Sequence, residues 1–193
     1  MKNKLMVVFI LFWGTGPAFG VWPESRVDFS MLPPYCAARM AHKLDWVPES
    51  QYKLWENRLG PDFLHIHHYC AGLHTYQLAL REMEKAERDA KLRGALTEME
   101  YVRVRAKPGF VLLPEIYAKM SNIYFRLADY SSALQYAKTA LRLKPDFTYP
   151  YAIMSDVYRA MGDGKRAVDV LKKGLEKKPY SKLLKRKLKK LEK

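Results

Sequence analysis

Cys36 and Cys70 are the two cysteines of the chain, and four of its five histidines, His65, His67, His68 and His74, crowd around the second of them. An even pair of cysteines in an oxidising compartment reads first as one disulfide. Closing a loop of this size stabilises a fold by about 4 kcal/mol in the chain-entropy model. The same residues also offer metal ligands. On a helix His67, Cys70 and His74 fall at i, i+3, i+7 on one stripe, with His65 and His68 on the stripe beside it, and imidazoles with a thiolate suit a transition metal. One stripe does not by itself close a tetrahedron. The competing reading makes His67 and His74 packing rings and lets His65 and His68 line a groove. Other chemistry is excluded more firmly. Covalent haem would need C-x-x-C-H, and a Cys-His nucleophile would need a free thiolate and an orienting third group. Gly162-Asp163-Gly164-Lys165 lacks the spacing of a phosphate loop. No catalytic residue and no cofactor is expected, and the metal set His67, Cys70 and His74 stays open as the alternative.

The elements that would position these residues are written as a duplication. Pro114, Tyr117, Met120, Ser121, Tyr124, Ala133, Ala137, Ala140 and Pro145 recur thirty-four positions later as Thr148, Tyr151, Met154, Ser155, Tyr158, Ala167, Leu171, Gly174 and Pro179. Tyr117, Met120, Ser121 and Tyr124 share one face of a first helix, and Ala133, Ala137 and Ala140 one face of a second. Small residues on the second helix allow close approach. Turns are expected at Ala128-Asp129-Tyr130-Ser131 and Met161-Gly162-Asp163-Gly164, with Ser131 and Asp163 as N-caps. Pro145 and Pro179 end the pairs. The repeat length and the order aromatic, small, aromatic, Ala, Pro resemble the tetratricopeptide repeat family. The fold expected is all-α: a right-handed solenoid of helical hairpins with an irregular N-terminal helical unit and a C-terminal capping helix.

Lys2 and Lys4 precede the apolar run Leu5 to Trp13, and Ala18-Phe19-Gly20 supplies small residues for a signal peptidase. Residues 1–20 therefore read as a cleaved secretory leader, and the apolar run is too short for a membrane anchor. A periplasmic or secreted location follows as an expectation. The chain carries +14 formal charges, +12 without Lys2 and Lys4. From Lys177 to Lys193 the sole acid is Glu192, while Leu184, Leu188 and Leu191 form an apolar stripe. That pattern predicts a basic helix over 181–193 that caps the array with its leucines, its lysines facing water or an anionic envelope surface. Nucleic acid is excluded for an exported protein without a reading motif.

The middle departs from the repeat. Gly60-Pro61-Asp62-Phe63 echoes Pro145-Asp146-Phe147 and opens a degenerate pair over 61–113, with an extended first helix through Glu84 to Ala90 and a second ending at Lys107-Pro108. Either Ala71 or Gly72 takes its small slot. Residues 21–60 read as an N-terminal capping unit with two short helices, Tyr35 to Leu44 and Pro48 to Leu59, anchored by Trp46 and Trp55. Regular repeats follow over 114–147 and 148–180. Leu32-Pro33-Pro34-Tyr35-Cys36 and His67-His68-Tyr69-Cys70-Ala71-Gly72-Leu73 resemble segments of small exported bacterial repeat proteins, a resemblance that brings no activity. The cysteines lie one repeat apart, and equivalent positions on stacked helices sit roughly 8–10 Å apart. A disulfide needs about 7 Å or less, so the N-terminal unit must leave regular stacking.

What the family resemblance implies is a non-enzymatic scaffold or adaptor of the cell envelope holding a protein or peptide on its concave surface. Carried over residue by residue, the groove comprises His65, His68, Tyr76, Asn122, Phe125, Arg126, Asp156 and Arg159. The family's carboxylate clamp is matched at Asn122 but not at Ala118, where a lysine is expected. The alternative function is an exported metal-handling or redox accessory protein built on the cluster at 65–74.

Overall fold

The computed structural model describes residues 20–192. The leader assigned to residues 1–20 thus lies outside the described residues except for Gly20. Ten α-helices follow in order among the described residues: α1 (Arg26–Ser30), α2 (Pro34–Met40), α3 (Glu49–Leu59), α4 (Ile66–Arg81), α5 (Lys85–Arg105), α6 (Leu113–Arg126), α7 (Tyr130–Leu143), α8 (Thr148–Ala160), α9 (Gly164–Lys177) and α10 (Lys182–Leu191). Short 3-10 turns occupy His42–Leu44 and Gly60–His65, and no strand occurs among the described residues. The helices pack as successive hairpins, α4 with α5, α6 with α7 and α8 with α9. The first helices then contact one another along the array, α6 on α8 and α8 on α10.

Small buried residues set how closely each hairpin closes. Ser121 is fully buried and donates its hydroxyl to the Ala133 carbonyl at 2.7 Å across α6 and α7. In α4 the residue against the neighbouring helix is Gly72: a Cβ there would lie 3.0 Å from the Ala95 carbonyl oxygen and from Met99 Cγ. Gly72, not Ala71, therefore occupies the close-approach position. Two other expectations need correction. Residues 84–90 do not extend the first helix of the degenerate pair; α4 stops at Arg81, and the Glu84 side chain caps α5 by accepting from the Glu87 N–H at 2.7 Å. The long helix is the second one. The N-cap of α7 is Asp129, whose carboxylate accepts from Ser132 N–H at 3.0 Å, instead of Ser131. Asp163 caps α9 in the same way at 2.8 Å. A carboxylate one residue ahead of the helix reaches its unpaired N–H groups and complements the positive end of the dipole. Each cap is preceded by a residue at positive φ, Ala128 at 60° and Gly162 at 79°.

The core is unevenly divided. One cluster runs from Phe29 and Tyr35 through Phe63, Tyr69 and Met99 to Ile116 and Ile123, joining the N-terminal unit to α6. The later hairpins share two smaller clusters, around Tyr151 and Leu171 and around Ala133, Ile153 and Val157. Trp46 packs edge-on to Phe29 and Trp55 edge-on to Tyr35, each half-buried at the open end of the array. Cys36 and Cys70 are joined as a disulfide with Cα atoms 5.5 Å apart, both fully buried. The distance is short because α2 is a seven-residue helix laid directly on α4, outside the repeat stacking.

Candidate partner-binding surface

The first helices bring Tyr76, Asn122 and Arg126 together. The Tyr76 hydroxyl donates to Asn122 Oδ1, and Arg126 Nε donates both to Tyr76 Oη at 3.0 Å and to Asn122 Oδ1 at 3.2 Å. Lys119 stands between two phenol rings, its Nζ 5.8 Å from the centroid of Tyr76 and 5.7 Å from that of Tyr149. Such cation–ring contacts favour the ammonium, yet burial holds its pKa below the usual lysine range, Glu115 opposing. Among the described residues no carboxylate lies within ion-pair distance of it. Burial likewise pushes the Tyr149 phenol up to about 12.

Further along, α8 and α10 enclose a pocket of about 180 Å³ lined by Ser155, Asp156, Arg159, Arg186, Lys187, Lys190 and Leu191. Asp156 is taken by Lys187, whose Nζ lies 2.6 Å from each carboxylate oxygen. Phe125 packs near Tyr130 and, with Arg126, lines a second cavity that also includes Leu80, Arg88 and Leu92. Sequence reasoning missed Lys119 and Tyr149, and read Arg186 and Lys190 as part of the basic end helix and not of the groove. For Lys119 a signal existed: it precedes Asn122 and Arg126 at i, i+3, i+7 on one helix face.

His65 and His68 do not join this surface. His68 donates Nδ1 to Glu98 Oε2 at 2.6 Å and stacks on Tyr101 at 3.6 Å, and His65 meets the same Tyr101 ring. Both therefore face α5. The metal set is not assembled either, because Cys70 is bonded to Cys36. His74 turns Nδ1 to the Val21 carbonyl at 3.1 Å and Nε2 to Asp28 at 3.4 Å. Among the described residues no three His, Cys, Asp or Glu side chains converge as metal ligands. The buried sulfurs also present no exposed disulfide for thiol exchange.

What the histidines hold is the chain's own N-terminal segment. Trp22 lies over His67 and His68 at 5.7 and 5.5 Å, and Pro23 is buried behind it. Burial, reinforced by neighbouring His68, holds the His67 imidazole down to about 4. The unfolded chain, with His near 6.5, then binds more protons between these values. Stability should fall as pH drops from about 6.5 to about 4 and be fully present above that window. Urea midpoints at pH 7, 5.5 and 4 check this. An unchanged acid slope in His67→Gln would assign the loss to other groups.

Residues 114–147 match the tetratricopeptide repeat family model. The fold is similar to that of a thermophilic TPR protein from Thermus thermophilus, with TM-score 0.59 and 19% identity over 86% of this chain and 84% of that one. It is also similar to part of the Cut9–Hcn1 hetero-tetramer of the APC/C, with TM-score 0.51 and 14% identity, covering 83% of this chain and 29% of that chain. No curated protein matches the sequence.

Proposed function

From a fold shared with tetratricopeptide repeat proteins, we propose that this chain is a non-enzymatic scaffold of the cell envelope that binds an acidic, extended protein segment along its first-helix face. The observation that carries the reading is the charge of that face. Lys119, Arg159, Arg186 and Lys190 have no carboxylate within ion-pair distance among the described residues; of the nearby acids, Asp156 is paired with Lys187 and Glu115 accepts from the Tyr69 hydroxyl. Rings at Tyr76 and Tyr149 flank the first cation; Tyr76 is buried beneath it, and the half-buried Tyr149 supplies flat apolar contact beside it. An extended peptide with carboxylates at intervals matches such a strip, its backbone free to use Asn122. Export is supported by the composition of residues 1–20 and by the buried disulfide, which belongs to an oxidising compartment.

The test is binding of a labelled acidic peptide, an extended Glu- and Tyr-containing 12-mer, against a scrambled-charge control of equal length. Lys119→Glu with Arg159→Glu should weaken binding at least thirty-fold while the helical spectrum is unchanged. Raising salt from 50 to 500 mM should weaken the wild type several-fold. Equal affinity for the acidic peptide and a 12-mer with Lys in place of each Glu would overturn the acidic-partner reading.

A further inference from the structure

Val21 is held at both ends of its own backbone. Its N–H donates to Thr75 Oγ1 at 2.6 Å, and its carbonyl accepts from His74 Nδ1 at 3.1 Å. One residue earlier, the Gly20 N–H lies 3.3 Å from Glu98 Oε1, so the residues on the two sides of the Gly20–Val21 bond are held by Glu98 and Thr75. Gly20 is packed so closely on the Glu98 side chain that a Cβ would have no space. Glu98 is itself unusual: its side chain is 9% exposed, His68 holds its other oxygen, and no lysine or arginine pairs with it among the described residues. A nearly buried carboxylate without a fixed cation is costly.

We propose that hydrolysis of the Gly20–Val21 bond supplies the missing cation, and that Glu98 with Thr75 forms a binding site for the resulting α-ammonium of Val21. This rests on the leader-cleavage reading above. An endopeptidase adds water across the bond; Gly20 leaves as the leader's carboxylate, and Val21 keeps the nitrogen as an amine. With an ordinary pKa of about 7.7–8.0 that amine is protonated at neutral pH. Loss of Gly20 opens the space beside Glu98 in which the ammonium can meet the carboxylate, while Thr75 keeps the contact it already makes. Trp22 over His67 and His68, and His74 on the Val21 carbonyl, hold the segment in register. An N-terminus produced by processing would thus lock the N-terminal unit onto α4 and α5.

The experiment uses the mature chain with Val21 as its first residue, freed from a fusion that leaves no extra residue, and the same chain preceded by Ser-Gly. Each is made as wild type, Glu98→Gln and His68→Gln. The α-amino group of the Val21 form should react with an acylating reagent at pH 7 at least ten-fold more slowly than in Glu98→Gln, and His68→Gln should retain most of that protection. The extended form should acylate at the same rate with or without Glu98. Amide exchange over residues 22–30 should be at least ten-fold slower in the Val21 form than in the extended form. Equal acylation rates in wild type and Glu98→Gln would overturn the site. Mass analysis of exported protein should give Val21 as the first residue. Any other first residue overturns the proposal as well, and the acylation result then separates a wrong cleavage point from a wrong seat.

Discussion

Replacing Cys36 and Cys70 together by Ala should lower the stability of the folded chain by about 4 kcal/mol, the loop-closure value for a separation of 34 residues. For a domain of this size that corresponds to a fall of roughly 8–16 °C in melting temperature. Alanine is the informative replacement, since both sulfurs are fully buried and serine would add an unpaired hydroxyl to the loss. The damage should be local. The closed loop contains α2, α3 and the turn Gly60–His65, so amide exchange should rise first over residues 30–75, while α6 to α9 remain protected because stacked units depend mainly on their neighbours. Intact mature protein should show no free thiol on denaturation without reductant. A loss below about 1 kcal/mol, or exchange rising evenly along the array, would mean that packing alone holds α2 on α4.

Gly72→Leu should cost about 3 kcal/mol, at the upper end of what overpacking a tight core brings. The added atoms would meet the Ala95 carbonyl oxygen and the Glu98 Cβ as well as Met99 Cγ, and the first of these belongs to backbone that cannot swing aside. Gly72→Ala should cost no more than about 1 kcal/mol, because alanine's better helix propensity offsets part of the tighter contact. Urea unfolding of the two variants reads the difference directly. If leucine were tolerated as well as alanine, α4 and α5 would have to pack further apart than the fold requires.

The paired repeats were legible because one set of side chains appears twice at a fixed interval, and each copy satisfies the same steric rule. The α4–α5 hairpin was harder to read. Its break contains no Gly, Pro, Ser, Thr or Asn; Arg81-Glu82-Met83-Glu84 ends one helix and begins the next through glutamate side chains, with Glu82 accepting from the N–H groups of Met83 and Glu84. Glutamate is an uncommon N-cap, so the periodic pattern ran through the turn. Asp129 stands thirty-four residues before Asp163 and caps in the same way, so the repeat register itself points to it over Ser131. The disulfide followed from composition alone. The role of the histidines did not, since their partners Val21, Trp22 and Asp28 lie about forty residues or more away, and no local spacing announces a contact of that range. Of the expected groove, Tyr76, Asn122 and Arg126 meet, Asp156 and Arg159 share a pocket, and His65 and His68 lie against α5.

α7 and α9 begin and end thirty-four residues apart, and α8 and α10 begin thirty-four residues apart as well. By that register α10 stands in the place of a first helix, and no second helix follows it among the described residues. Leu184 is fully buried where a Cβ on Gly174 would also meet Tyr151, while Lys182, Lys185 and Lys189, away from the α8–α10 pocket, stand in solvent. Docking another helix on that side would bury those charges, which costs stability. The chain could grow by duplication at this point, since a copied 34-residue unit inserted ahead of Ser181 would offer α10 the same surface that α8 and α9 offer it now.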